Sequence, residues 1–263
     1  MLSVVIANFN NEKYVTECLD SVIEQTYKDL EIVICDDGST DGSSKIINEY
    51  KKRYPKIVKT IFNSVNRGAA RAIHKAVMRA EGEYITTLDS DDYYCHGKKL
   101  EKEMKLIQEY KKKEEDIIPF SDIIIVDKEG KEIGPQWPEE KIWEGNLLEG
   151  IISRSCMIPR DFIVKRSVYF DVGGYDFHFP IYEDWDLKIR LAINNKFYYT
   201  GINGTAYRIH KTGLSSRPIP QHIKWLNKIF KKNFFLVDMN KKREIKKQFK
   251  VFKKTLKKSK GKK

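Results

Sequence analysis

Glu83-Tyr84-Ile85-Thr86-Thr87-Leu88-Asp89-Ser90-Asp91-Asp92 joins a short apolar, β-branched run to three carboxylates within four residues. In a strand alternate side chains share a face, so Asp89 and Asp91 are expected to point the same way. Like charges that close repel unless a cation lies between them. A hard divalent ion takes oxygen ligands, and Mg²⁺ or Mn²⁺ is commonly shared between a carboxylate or two and substrate phosphates. The run reads as a strand delivering a metal–diphosphate site. An acidic turn capping the next helix is the plainer alternative.

Working outward, the first hundred residues alternate between strand and helix patterns. Leu2–Ala7 reads as a buried strand, and Tyr14, Val15, Cys18, Leu19, Val22 and Ile23 recur at helical spacing. Leu30–Cys35 is the second strand, followed by the turn-rich Asp36-Asp37-Gly38-Ser39-Thr40-Asp41-Gly42. Ser43 or Ser44 is the expected cap of a helix to about Tyr54. Ile57–Phe62 and Ala69–Ala80 complete the series before Tyr84–Leu88. The alternation predicts an α/β fold with a mostly parallel sheet flanked by helices. Ligands bind at the carboxyl ends of such strands. Asn8-Phe9-Asn10, Asp36-Asp37 and Asp89–Asp92 all lie at such ends.

Beyond a charged helix at Lys98–Lys113, Ile117–Phe120, Ile123–Val126, Phe197–Thr200 and Ala206–His210 read as separate strands. Residues 134–182 hold Trp137, Pro138, Met157, Pro159, Phe177 and Phe179 with little periodicity. They suit a substrate-facing surface or a packed irregular connection equally. Glu183-Asp184-Trp185-Asp186 opens a further helix, with its acids at the positive end of the dipole.

The chain of 263 residues is 41% hydrophobic and 33% charged, values of a globular domain. Residues 241–263 hold thirteen Lys or Arg against one acid, Glu244, which accounts for the whole net charge of +12. The remainder is electrically balanced, which argues against a nucleic-acid-binding core. Ile245, Phe249, Phe252 and Leu256 form an apolar stripe on the basic tail. Such a helix fits an anionic membrane surface or a packed position on the body. No apolar run approaches the roughly 20 residues of a membrane span. The start lacks the basic n-region of a signal peptide, and the four cysteines have no C-x-x-C spacing. A cytoplasmic protein is the expectation, peripheral on the inner face of the membrane if the tail takes the first of those two places.

Taken together, Ser3–Asn10, Ser21–Thr26, Asp36–Asp41, Asn66–Glu83 and Asp89-Ser90-Asp91-Asp92 resemble the nucleotide-sugar glycosyltransferases of family 2, with the GT-A fold. Val172-Gly173-Gly174-Tyr175-Asp176, Glu183–Leu187 and Tyr207-Arg208-Ile209-His210 extend the resemblance to roughly residue 216. It implies a GT-A domain over residues 1–215, with donor binding in 1–95 and acceptor binding in 96–215, then a helical Lys-rich tail at 216–263. The resemblance further implies that Asp37 meets the base and that backbone near Ala7 and Asn8 lines its pocket. Asp89, with Ser90, would contact the ribose. Asp91 would ligate Mn²⁺ or Mg²⁺, with His210 as second ligand. Arg67, Arg71 and Arg208 would lie near the diphosphate or base. Asp184 would take the proton of the acceptor hydroxyl, and Glu183 would hold a sugar. Asp186 is the alternative base. Ala72 replaces the Asn that commonly follows the family's Arg, and the Gln-x-x-Arg-Trp motif of processive synthases is missing from 215–230.

These roles suit the chemistry. Negative charge grows on the departing diphosphate, and a carboxylate opposite it makes an in-line, inverting displacement. The expected activity is non-processive transfer from a nucleoside diphosphate sugar, with UDP the expected carrier, to a saccharide, glycopolymer or lipid-linked acceptor. An inactive sugar-binding module and a sugar-phosphate nucleotidyltransferase are the rivals.

Overall fold

Strand β1 (Leu2–Asn8) is the middle strand of a five-stranded sheet in the computed structural model, which describes residues 1–135, 143–210, 213 and 216–260. It runs parallel to β2 (Leu30–Asp36) on one side and β4 (Tyr84–Asp89) on the other, with β3 (Val58–Phe62) beyond β2. Crossovers through α1 (Val15–Ile23), α2 (Ser43–Arg53) and α3 (Ala69–Arg79) generate this order. The short β8 (Val164–Lys165) pairs antiparallel with β4.

Both faces of the sheet are covered, which is why the middles of β1 and β2 are continuous apolar runs, Val4–Ala7 and Ile32–Cys35. Val5, Val33 and Ile85 pack with Ala72, Ile73 and Ala76 of α3. Val4, Ile6, Ile34 and Leu88 pack on the other face against α1, α2 and α4 (Lys99–Lys111). Register fixes the site: Asn8 lies opposite Asp36, and Ala7 opposite Asp89. Three polar strand ends are thus adjacent.

A second sheet has the order β5 (Tyr93–Tyr94), β9 (Lys196–Arg208), β6 (Ile117–Val126), β7 (Glu132–Pro135). Here β6 and β9 are each one long strand where two were expected. Register shifts around Asp122 carry both past their polar residues, as bulges do. The cap of α2 also differs. Asp41 accepts the Ser43 N–H, while the Ser44 hydroxyl donates back to Asp36.

The C-terminal helices α8 (Ile219–Asn233) and α9 (Lys242–Lys260) share one core with α5 (Leu148–Ser153), α6 (Arg166–Asp171) and α7 (Glu183–Leu191). The stripe of the basic tail is therefore engaged. Ile245 and Phe249 are 4% and 3% exposed, and Phe252 and Leu256 pack on the same cluster. Phe249 stacks on Phe230 at 4.0 Å and lies against Trp185 at 6.1 Å. Apolar insertion of this face into a membrane is incompatible with that packing. No helix among the described residues is long and apolar enough to cross one. Trp137 and Pro138 lie outside the described residues.

Two predictions arise here. Phe249→Ala removes a ring from a buried stack and should cost about 3–4 kcal/mol of stability, read from urea unfolding. A cost below about 1 kcal/mol would mean that α9 is not part of the cooperative fold. Asp176, in the loop before α7, accepts from Lys232 of α8 at 2.9 Å. Burial raises its carboxyl, but Lys232 and His178 outweigh this and bring it to about 2. The unfolded value is about 3.9, so the contribution is complete above about pH 4 and lost as pH falls towards 2. Asp176→Asn should cost about 1–2 kcal/mol at pH 6 and almost nothing at pH 2. A pH-independent cost would assign the effect to packing instead.

Candidate functional site

The turn after β4 holds the Asp89, Asp91 and Asp92 carboxylates within 4.8 Å of one another. Asp92 is buried and accepts the backbone N–H of Arg208 at 2.8 Å. That contact sews the turn to the end of β9 and carries His210 to Asp91, Nε2 to Oδ2 2.7 Å. Burial, then repulsion from Asp91 and Asp89, raises the Asp92 carboxyl well above its usual range. Burial also raises Asp89, against the pull of Arg160, to about 6. Oxygen donors crowded this way, with an imidazole beside them, have the composition a hard divalent ion requires. The donor set fits Mn²⁺ or Mg²⁺.

Glu183 and Asp184 open α7, after Tyr182 in a left-handed backbone conformation. Arg160 donates to both Asp89 and Glu183, the latter at 3.1 Å, tying the strand end to the helix start. Lys188, one turn along α7, bonds Asp184 at 2.7 Å and the Ile158 carbonyl at 2.7 Å. Burial opposes ionisation of Asp184, but Lys188, Arg160 and Arg154 outweigh it and hold the carboxyl well below the usual range. Glu183 moves the other way, since burial raises it more than Arg160 lowers it. Environments that drive neighbouring carboxylates apart are typical of acid–base sites. Asp89, Asp92, Asp184, Arg160 and Lys188 line one cavity of about 220 Å³.

The remaining expected residues divide. Asp37, beside the β2 end, accepts from Asn63 at 2.7 Å and from the Arg67 and Gly68 N–H groups at 2.9 and 2.7 Å. Asn8 donates to Asp36 and Ser39, and its buried Oδ1 has no partner among the described residues. Ala7 sits beside it on β1. The Arg67 and Arg71 side chains are exposed, with Arg71 5.1 Å from the centre of the Phe177 ring.

Two of the expected residues are bonded within the protein. The Arg208 side chain is 2% exposed and donates to the Asp91, Asp127 and Lys128 carbonyls and to Glu17. These bonds fasten the acidic turn from within. Ser90 is likewise buried and accepts from Asn11 at 2.8 Å. Asp186, the alternative base, is fully buried and bonds Arg190, Lys232 and Asn233. It joins α7 to α8.

Sequence reading missed Arg160 and Lys188. Lys188 follows Asp184 by four residues on a helix, a spacing that signals an ion pair. Arg160 sits in an aperiodic stretch and carries no local signal.

Residues 3–169 match the profile of Glycosyl transferase family 2. The chain belongs to this family. An uncharacterized glycosyltransferase of Haemophilus influenzae is 33% identical over 235 residues, 88% of each chain. Among solved structures, S. aureus TarS residues 1–349 in complex with UDP-GlcNAc aligns over 93% of this chain and 70% of that one, at TM-score 0.75 and 21% identity. The mannosyltransferase PcManGT of Pyrobaculum calidifontis, in complex with GDP-Man and Mn²⁺, covers 88% of this chain and 63% of that one, at TM-score 0.64 and 19% identity. These neighbours share the GT-A fold of this family 2 member. The chain spans 60% of the length of the curated relatives that it matches at 27% identity.

Proposed function

We propose that this family 2 protein is an inverting, non-processive glycosyltransferase, moving a sugar from a UDP-linked donor to an acceptor hydroxyl. The observation that carries the reading is the junction of two carboxylate groups in one cavity. Asp89 and Asp92 of the acidic turn and Asp184 of α7 all line it, and Arg160 spans Asp89 and Glu183.

In this reading the β1 and β2 ends receive the nucleotide, with Asp37 positioned at the base and backbone at Ala7 and Asn8 beside it. Asp89 receives the ribose; Asp91 and His210 hold the divalent ion. Arg67 and Arg71, exposed at the start of α3, close over the diphosphate. When bound, the ion neutralises charge that develops on the departing diphosphate. Asp184 takes the acceptor proton. The neighbouring cations keep it ionised, the form that can accept a proton, at the cost of some basicity. Lys188 holds that carboxylate in place before the acceptor arrives. Attack from the Asp184 side, opposite the diphosphate, inverts the anomeric configuration. A UDP carrier is supported by the resemblance of the strand-end motifs and by the UDP-GlcNAc bound to TarS.

The test is nucleotide release with Mn²⁺ and a panel of UDP-, GDP- and dTDP-sugars. Release with a UDP-sugar and an inverted product is expected. No release from any donor would leave a binding module, and a retained anomer would remove Asp184 from its role.

For the tail we propose electrostatic attachment to an anionic membrane through Lys246, Lys247, Lys250, Lys254 and Lys257, all exposed on α9. Each lysine at such a surface contributes about 1 kcal/mol. Replacing all five by glutamine should abolish sedimentation with anionic vesicles in low salt; undiminished sedimentation would refute the attachment.

A further inference from the structure

One cation in the cavity touches no carboxylate of the described residues. Arg160 is matched by Asp89 and Glu183, and Lys188 by Asp184. Arg154 lines the same cavity. Its side chain makes no hydrogen bond or ion pair to any described residue, and its Nε is buried without a partner. The guanidinium is instead enclosed by rings, 5.6 Å from the centre of Tyr182, 5.2 Å from Trp185 and 5.1 Å from Phe252. Aromatic faces stabilise a cation but satisfy none of the five in-plane N–H donors of arginine. Leaving the buried Nε–H unmet is costly.

The backbone adds to this cost. Arg154 ends α5 in the left-handed conformation, φ 61° and ψ 21°. Glycine or asparagine is favoured there, and other side chains are strained. A residue both strained and unpaired, at a cavity beside the base, is placed for a ligand. Arg154 sits among rings of α7 and α9 and of the residue before α7, whereas Arg160 bonds the acidic turn through Asp89. In the glycosyltransferase reading this puts Arg154 with the base rather than with the donor.

We propose that Arg154 docks an anionic group, phosphate or carboxylate, carried by the acceptor. This rests on the glycosyltransferase reading above, and it narrows the acceptor to charged saccharides or phosphate-bearing polymers and lipids. The anion would use the open guanidinium edge in a two-pronged contact. It would also offset the positive charge that weakens Asp184 as a base, so a charged acceptor would improve proton transfer as well as binding.

The experiment measures binding of glycerol phosphate, glucuronate, glycerol and glucose to the full chain by ligand-observed NMR, with and without UDP and Mn²⁺. Wild type should bind the two anions at least about tenfold more tightly than their neutral counterparts. Arg154→Met should erase that preference, and Arg154→Lys should keep part of it. UDP affinity should be equal in all three proteins, which also certifies their folding. Equal binding of charged and neutral probes to wild type, or a preference surviving in Arg154→Met, would overturn the proposal. So would a defect confined to release from UDP-glucuronate, which would place Arg154 on the donor sugar. Should Arg154→Met fail to fold, Arg154→Lys and the salt dependence of the wild-type preference decide the same question. Failure of UDP itself to bind would refute the glycosyltransferase reading, while the anion preference remains readable without nucleotide.

Discussion

Asp184→Asn should lower sugar transfer by about 10²- to 10⁴-fold, the usual contribution of a positioned general base. Asparagine keeps the shape and an oxygen for Lys188, 2.7 Å away in the wild type. It removes only the ability to accept a proton. The loss should therefore appear in kcat, with donor KM little changed. Metal binding should be untouched, because Asp184 is not part of the carboxylate cluster of the acidic turn. Product analysis and nucleotide release together check this. Transfer within about threefold of wild type would dismiss Asp184 as base. Asp186 would not inherit the role, because it is fully buried and joined to Arg190, Lys232 and Asn233.

Asp91→Asn should be at least as damaging, on the order of 10³-fold or more. Stabilising the charge of the leaving diphosphate is worth several kcal/mol, and each 1.36 kcal/mol is tenfold in rate. The change also alters a partner of His210, so both proposed ligands are disturbed at once. The distinguishing measurement is metal affinity. Mn²⁺ titrated by electron paramagnetic resonance should bind the wild type in the presence of UDP and bind Asp91→Asn far more weakly. Unchanged Mn²⁺ affinity would move the metal to other groups. Retained activity in chelator would dispense with it altogether. Binding and turnover fail together for Asp91, but separate for Asp184.

The parallel sheet was legible because its cause is local. Val4, Ile6, Ile32, Ile34 and Leu88 are strand formers, and the residues between them are also apolar, as burial on both faces requires. The adjacency of Asn8, Asp36 and Asp89 followed from topology, since ligand-binding residues gather at the carboxyl ends of neighbouring strands. The breaks placed inside β6 and β9 had a different origin. Ser121-Asp122 and Gly201–Gly204 look like loops in isolation, yet pairing between the two strands carries the backbone through them. The internal bonds of Arg208 carry no local signal either, because its side chain meets Asp91, Asp127, Lys128 and Glu17 from 80 to 191 positions away.

By itself the sequence determined the family, the sheet and the identity of the acidic turn, because strand propensity, helical periodicity and turn chemistry act over a few residues. Only the tertiary structure decided what those acids face. Arg160 reaches Asp89 across 71 positions, and His210 reaches Asp91 across 119. No local pattern encodes such meetings, which depend on which elements pack together. The basic tail shows the same division. Its stripe announced a helix that must bury one face, but not what would cover it. Phe230 and Trp185 do so in the fold, which places α9 directly behind the helix bearing Asp184. An amphipathic period fixes that a face is buried; the surface that covers it is chosen by shape and by burial elsewhere in the chain.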